Sequence, residues 1–184
     1  MRRLFLVAAL VCVSSLAYAA DFKLSSPEIK PGSMMPKSFE FNGFGCSGEN
    51  KSPELKWSGA PKGTKSFAVT MYDPDAPTGS GWWHWVVINI PADVTELPAD
   101  AGAQNSTTLP KGAVQGRTDY GVNAWGGTCP PQGDKPHRYI FTVYALKTDK
   151  LDVPADATAA LTGYMIHANM LAKASFTAKY GRSK

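Results

Sequence analysis

The chain has 184 residues, with 19 basic and 15 acidic side chains and a formal charge of +4 that is not gathered into any dense lysine or arginine cluster. This charge pattern argues against a nucleic-acid-binding protein. The length suits one domain with a hydrophobic core rather than two. Glycine and proline, 17 and 14 residues, are spread along the chain and mark no linker, so we predict a single domain over residues 20–184.

The first residues have the pattern of a secretory signal peptide. Met1–Arg3 is a basic start, Leu4–Val13 is an apolar run, and Ala17–Ala19 is a cleavage pattern of small residues around a tyrosine. We therefore predict that residues 1–19 are removed and that the mature protein is periplasmic or secreted. The apolar run is shorter than the roughly 20 residues of a bilayer-spanning helix. Since no later run comes closer, the alternative of an uncleaved membrane anchor is the weaker one.

Short runs of β-branched and aromatic residues, bounded by Pro and Gly, predict the strands. The three strongest runs, expected at the centre of a sheet, are Phe67–Tyr72, Trp85–Ile90 and Tyr139–Ala145. Weaker strands are predicted at Phe22–Leu24, Ser38–Phe41, Leu55–Trp57, Ala113–Gln115 and Ser175–Lys179. The stretch from Pro91 to Lys111 lacks any hydrophobic period and is predicted as a long loop. The fold class is therefore mostly β, with antiparallel strand pairs predominating.

Helical character is confined to one segment near the C-terminus. Ala155–Lys173 is rich in Ala, Leu and Met, which favour helices. Asp156 is placed to cap the first turn and Gly163 to break the segment in two. We therefore predict a pair of short C-terminal helices followed by the last strand.

Only two cysteines, Cys46 and Cys129, lie beyond the predicted signal peptide. An even number of cysteines in an exported protein favours a disulfide over free thiols. We predict this bond on compartment alone, since the geometry that it needs is not readable from the sequence.

Polar residues concentrate where the strongest strands begin or end. Asp73 and Asp75 follow the first of these strands, His84 precedes the second, and His137 and Tyr139 open the third. If the strands are neighbours, these side chains meet at one edge of a sheet. Imidazoles that donate N–H bonds attract phosphate or carboxylate, and a neighbouring aspartate orients an imidazole and favours its protonated form. The grouping therefore predicts a small-anion site.

Each of these residues also has a simpler explanation. Asp73 and Asp75 could serve only to form a turn. His84 could be a core histidine between tryptophans, and His137 could be exposed on the surface. Arg138 lies on the face of its strand opposite to that of its two neighbours, so we predict that it makes a structural salt bridge.

Two enzymatic possibilities have little support. The histidines show none of the H-x-H, H-E-x-x-H or C-x-x-C spacings that accompany zinc or iron sites. No G-x-S-x-G elbow is present, and Gly79–Gly81 is predicted as the turn between two strands. We therefore predict no metal, no cofactor and no catalytic residue.

Two stretches resemble the two signatures of the phosphatidylethanolamine-binding proteins, the family of the Raf kinase inhibitor-like proteins. The first is Asp73–Pro77 followed by Trp82–Trp85, and the second is Pro130–Gly133 leading to His137–Tyr139. Ser52–Gly59 is similar to a segment of the exported, bacterial YbhB/YbcL-type branch. The likeness covers nearly all of the chain after the signal peptide. It implies a large central β-sheet packed on a smaller one, with short helices to one side.

Carried over by position, the resemblance implies an anion pocket with two prolines at its rim, lined by Asp73, Asp75, His84, Pro130, Pro131, His137 and Tyr139. Because Cys129 directly precedes Pro130, a bond from Cys46 would brace the pocket loop. The chain departs from the family pattern at Lys135, where a glycine is common.

Two functions follow from the resemblance. The first is a non-catalytic binding protein for a small phosphate or carboxylate ligand, with a phospholipid head group as one candidate. The second is a protein-interaction module that inhibits or modulates a protease, a kinase or a host partner. A homodimer is compatible with both.

Overall fold

The structure, a computed structural model, describes residues 21–183. The predicted signal peptide, residues 1–19, lies outside the described residues. In chain order the elements are β1 (Lys23–Ser25), a 3-10 helix (Lys37–Phe39), β2 (Asn42–Gly43), β3 (Cys46–Ser47), β4 (Leu55–Ser58), β5 (Ser66–Asp73), β6 (Trp82–Pro91), β7 (Glu96–Leu97), β8 (Val114–Gln115), β9 (His137–Leu146), α1 (Ala159–Asn169) and β10 (Met170–Tyr180). None of the helices in this part of the chain has the length and apolar character needed to span a membrane.

The main sheet has five antiparallel strands in the order β10-β9-β5-β6-β8. Its three central strands are the three strongest runs of the sequence, and β5 is almost entirely buried because both of its faces are covered. The register pairs Asp73 with Trp82 on one side of β5 and Tyr72 with Ile140 on the other. The end of β5 therefore lies beside the starts of β6 and β9, as the sequence predicted.

Apolar side chains cover both faces of this sheet. On one face, Phe67 and Met71 of β5 share a core with Leu55 and Trp57 of β4, which belongs to a three-stranded sheet in the order β1-β4-β7. On the other face, residues of β5, β6 and β9 pack against Ile166 of α1. The predicted fold class, mostly β with a large sheet packed on a smaller one, is confirmed.

The predicted pair of C-terminal helices is wrong. The described residues form one α-helix there, α1, and Gly163 lies within it without breaking it, since a single glycine costs a helix only about 1 kcal/mol. Thr158 rather than Asp156 caps the helix, by accepting a hydrogen bond from the N–H of Leu161 at 3.2 Å. Residues 170–173, predicted as helical, belong to β10 because they pair with the end of β9. Pairing in the sheet outweighs their intrinsic helix propensity.

Two further predictions of secondary structure differ from the fold. Residues 38–41, predicted as a strand, begin with the last two residues of the 3-10 helix, which buries Phe39, and continue with an isolated bridge at Glu40. The long loop after β6 contains the short strand β7, which pairs with β4 through Leu97 and Leu55. Both segments are too short for a hydrophobic period to reveal their structure.

Candidate functional site

A cavity of about 180 Å³ opens at the edge of the main sheet where β5 ends and β6 and β9 begin. Six of the seven predicted site residues line it: Asp73, His84, Pro130, Pro131, His137 and Tyr139. Residues that the sequence did not single out as ligand-binding, among them Phe44, Thr78 and Tyr120, also line it, as does Trp82 at the start of β6. The strand register thus brings together side chains that are up to 66 positions apart, from Asp73 to Tyr139.

Asp73 and His137 form a buried pair at the inner wall of the cavity, and they are only 2% and 5% exposed. His137 donates from Nδ1 to Asp73 Oδ2 at 2.8 Å, while Asp73 Oδ1 accepts from the backbone N–H of Asp75, also at 2.8 Å. Asp73 is therefore a turn former and the residue that orients His137 at the same time. His137 Nε2 lies 3.5 Å from the Asp134 carboxylate.

His84 is held by the backbone of the loop before β9. Its Nδ1 lies 2.8 Å from the carbonyl oxygen of Gly126 and 3.1 Å from that of Gly127. Carbonyl oxygens only accept, so Nδ1 carries the proton in the neutral ring. This close approach depends on glycine, because a Cβ at position 127 would lie 2.3 Å from the carbonyl oxygen of Phe39.

The protonation of His84 differs from what the sequence led us to expect. Burial lowers the pKa of His84, and the hydrogen bonds to Gly126 and Gly127 and the charge of Asp73 oppose that shift only in part. The aspartate therefore does not make this imidazole cationic at neutral pH. The neutral ring with its proton on Nδ1 has an unprotonated Nε2, which accepts a proton or a hydrogen bond.

Two of the residues that line the cavity carry a buried hydrogen-bond donor that has no partner among the described residues. These donors are the hydroxyl of Tyr139, a residue that is 0% exposed, and the indole Nε1 of Trp82. Burial and the negative charge of Asp73 raise the pKa of Tyr139, so its hydroxyl keeps its proton. Buried polar atoms in proteins nearly always have a partner. The three other such atoms in this part of the chain, on Trp57, Trp125 and Thr128, do not line the cavity.

The structure does not bring Asp75 to the cavity wall. Arg138 binds its carboxylate with two parallel hydrogen bonds, from Nη2 to Oδ1 at 2.7 Å and from Nε to Oδ2 at 2.9 Å. The Arg138 guanidinium lowers the pKa of Asp75 to about 2. Asp75 therefore stands on the side of β9 to which Arg138 points, and Arg138 makes the salt bridge predicted from strand alternation.

A disulfide closes the rim of the cavity. Cys46 of β3 and Cys129 of the Pro130 loop are bonded, with their Cα atoms 5.9 Å apart. Arg182 ties the same two segments together, because it donates from Nη2 to the carbonyl oxygen of Gly45 at 2.8 Å and from Nη1 to that of Pro130 at 3.3 Å. The predicted bond is thus present, and it joins the β2–β3 hairpin to the loop before β9.

The tryptophans separate into three environments. Trp82 lines the cavity, Trp83 packs against Tyr72, and Trp125 is buried in the core against Trp85. Within residues 21–183, no group of three or more His, Cys, Asp or Glu side chains is arranged to hold a metal ion.

The sequence matches the family described as phosphatidylethanolamine-binding protein over residues 25–181. It is 57% identical to the YbcL protein of Escherichia coli (strain K12) over 98% of both chains. It is also 49% identical to the YbhB protein of the same organism, over 86% of this chain and 99% of the relative. The crystal structure of E. coli YbcL, described as a new member of the mammalian PEBP family, matches with a TM-score of 0.86 and 60% identity, covering 88% of this chain and 99% of that one.

Proposed function

Since this chain belongs to the phosphatidylethanolamine-binding protein family, we propose that it is a non-catalytic binding protein that holds a small phosphate- or carboxylate-bearing anion in the cavity. The observation that carries the proposal is the pair of unpartnered donors, the Tyr139 hydroxyl and Trp82 Nε1, which belong to residues that line the cavity. Each would gain a partner from an anion oxygen, and a buried donor without a partner costs about 1–3 kcal/mol. A phospholipid head group belongs to this class of ligand.

The buried carboxylate of Asp73 is compatible with an anion nearby. Both of its oxygens already accept hydrogen bonds, one from His137 and one from the backbone of Asp75. When the anion binds, His84 either becomes protonated on Nε2 or accepts a hydrogen bond there from a protonated ligand. In both cases the site takes up a proton together with the anion.

Calorimetry with phosphate, acetate and phosphorylethanolamine tests the proposal. We expect His84→Ala and His137→Ala each to weaken binding by about tenfold or more, since a hydrogen bond to a charged group contributes about 1.5–3 kcal/mol. His167→Ala is the matched control, because His167 is exposed on α1, forms a hydrogen bond to the carbonyl oxygen of Gly163 and does not line the cavity. Unchanged affinity in both site variants would remove the site assignment.

We also propose that the protein acts outside the cytoplasm. The Cys46–Cys129 bond supports this, because structural disulfides persist in oxidising compartments. Fractionation of the producing cell, with N-terminal sequencing of the mature protein, tests the proposal. The expected N-terminus is Ala20, and a full-length chain in the cytoplasm would contradict it.

A further inference from the structure

An exposed aromatic surface stands at the mouth of the cavity. Phe44 lies at the tip of the β2–β3 hairpin and is 75% exposed, although it is a large apolar residue. Its backbone has a φ of +53°, a conformation that residues other than glycine seldom adopt. The two-residue turn between β2 and β3 has positive φ at both Phe44 and Gly45, as tight hairpin turns of this kind require. A phenylalanine in this conformation has a cost to folding that a glycine or an asparagine would not have.

The rings around Phe44 form one cluster, which we call the aromatic shelf: Phe41, Phe44 and Tyr120. The centroids of Phe41 and Tyr120 are 4.3 Å apart, and those of Phe44 and Tyr120 are 5.7 Å apart with the ring planes 25° from parallel. Trp82, on the cavity wall, meets Tyr120 edge to face at 5.3 Å. The shelf is therefore continuous with Trp82, whose Nε1 is one of the two unpartnered donors.

Contacts of Tyr120 and of the β2–β3 backbone hold the shelf in place although it is partly exposed. The hydroxyl of Tyr120 donates to the carbonyl oxygen of Gly127 at 2.8 Å, and a Cβ at Gly126 would lie 2.1 Å from the ring. Phe44 is two residues from the disulfided Cys46, and Arg182 binds the carbonyl oxygen of its neighbour Gly45. The Tyr120 ring, which these contacts hold in place, loses little conformational freedom when a ligand packs on it.

The cavity is too small to enclose a larger ligand, so such a ligand would also contact the aromatic shelf. Its volume of about 180 Å³ is below the roughly 300–1,000 Å³ of sites that enclose a drug-sized molecule. An anionic group would fill a cavity of this size, and the rest of an organic ligand would extend out through its mouth. Phe44 and Tyr120 line that mouth with ring surface.

We propose that the ligand is an organic anion in which the phosphate or carboxylate is attached to a planar apolar group, and that this group packs on Phe44 and Tyr120. The inference rests on the proposed anion site and adds its selectivity. Phe44 is then the specificity-determining residue: it discriminates among anions by the group attached to them and contributes nothing to the binding of the bare anion.

The test compares phenyl phosphate, phosphorylethanolamine and inorganic phosphate by calorimetry on the full mature protein. The wild type should bind phenyl phosphate most tightly. Phe44→Ala should weaken phenyl phosphate about 3- to 10-fold, the range for one aromatic contact, and leave the other two ligands within about twofold. Phe44→Leu, which keeps apolar surface but no ring, should lie between. Tyr164→Ala is the control, since Tyr164 is 70% exposed on α1 and does not line the cavity.

The possible failures are distinguishable. Equal loss for all three ligands, or no loss for any, would show that Phe44 does not select the substituent. A larger loss for phosphorylethanolamine would assign the shelf to an ammonium group instead and overturn the proposal. A change in oligomeric state on Phe44→Ala, measured by sedimentation, would assign Phe44 to a contact between copies and equally overturn it. If the wild type binds none of the three, the anion site fails and the inference fails with it.

Discussion

At the edge where β5 meets β9, an aspartate pairs with a basic residue on each side of the sheet. The pair on the inner side, which faces the cavity, is buried, and the pair on the outer side is exposed to solvent. On the inner side, Asp73 and His137 are buried, and each satisfies the other. On the outer side, Asp75 and Arg138 make an ion pair with two hydrogen bonds, but most of the arginine side chain is in solvent. The Arg138 guanidinium lowers the pKa of Asp75 to about 2. The outer pair is therefore a surface salt bridge, whereas the inner pair lines the candidate site.

Four predictions test this difference between the two sides, and removal of the disulfide at the cavity rim should have the largest effect. The bond joins residues 83 positions apart, so opening it restores much freedom to the unfolded chain. We expect Cys46→Ala/Cys129→Ala to lower the free energy of unfolding by about 4 kcal/mol, measured in urea. Wild-type protein treated with reductant should show a similar loss in the free energy of unfolding. A loss below about 1 kcal/mol would mean that the rest of the fold holds the rim without the bond.

The next largest effect is expected from Asp73→Ala on the inner side. The change leaves the Nδ1–H of His137 and the N–H of Asp75 without their acceptor in a buried place. Unsatisfied buried donors of this kind cost about 1–3 kcal/mol, and we expect a loss of about 2–3 kcal/mol in urea unfolding. Asp73→Asn keeps an acceptor oxygen and should recover part of it. Full stability in both variants would contradict the account of the inner side.

Acidification should act on the inner side through His84. Burial puts its folded pKa below the unfolded value of 6.5. On acidification the unfolded chain therefore binds a proton at His84 before the folded protein does. The stability that depends on a neutral His84 is fully present above about pH 6.5 and is lost as the pH falls below that value. Urea unfolding at pH 8 and pH 5 should show a smaller loss for His84→Gln than for the wild type. Ligand affinity should change in the opposite direction and tighten on acidification, because binding takes up a proton.

The smallest effect is expected on the outer side. Asp75→Ala removes an exposed ion pair, and such pairs contribute about 0–1 kcal/mol, so urea unfolding at pH 7 should change by less than about 1 kcal/mol. The pKa of Asp75 lies below its ordinary 3.8, so its contribution is present above about pH 3.8 and is lost as the pH falls toward 2. A loss as large as that of Asp73→Ala would remove the distinction between the two sides.

Much of the site was predictable because it lies on strongly patterned strands. The runs that became β5, β6 and β9 are apolar and β-branched, and the polar residues next to them stand at their ends. Strand alternation also placed Arg138 on the other side from its neighbours. Asp75 could not be placed in the same way, because it follows the last strand residue and the turn decides its direction.

The residues that the sequence did not reveal lie in loops. Phe44 sits in a two-residue hairpin turn, and Tyr120 sits in a stretch of turns and bends between β8 and β9. Neither stretch has a hydrophobic period, so nothing local distinguishes a ring that lines a cavity from one that covers the surface. Phe44 and Tyr120 are positioned by the Cys46–Cys129 disulfide and by the contact between their own rings. Each of these two interactions joins segments that are distant along the chain.

The sequence by itself determined the mostly β fold, the central strands and the cysteine pair, because these depend on composition, short-range pattern and the number of cysteines. Tertiary structure alone decided the extent of β10, the neutrality of His84 and the side on which Asp75 lies. Each of these results from a balance between a local preference and a distant partner: helix propensity against pairing with β9, the charge of Asp73 against burial, and a turn against the guanidinium of Arg138.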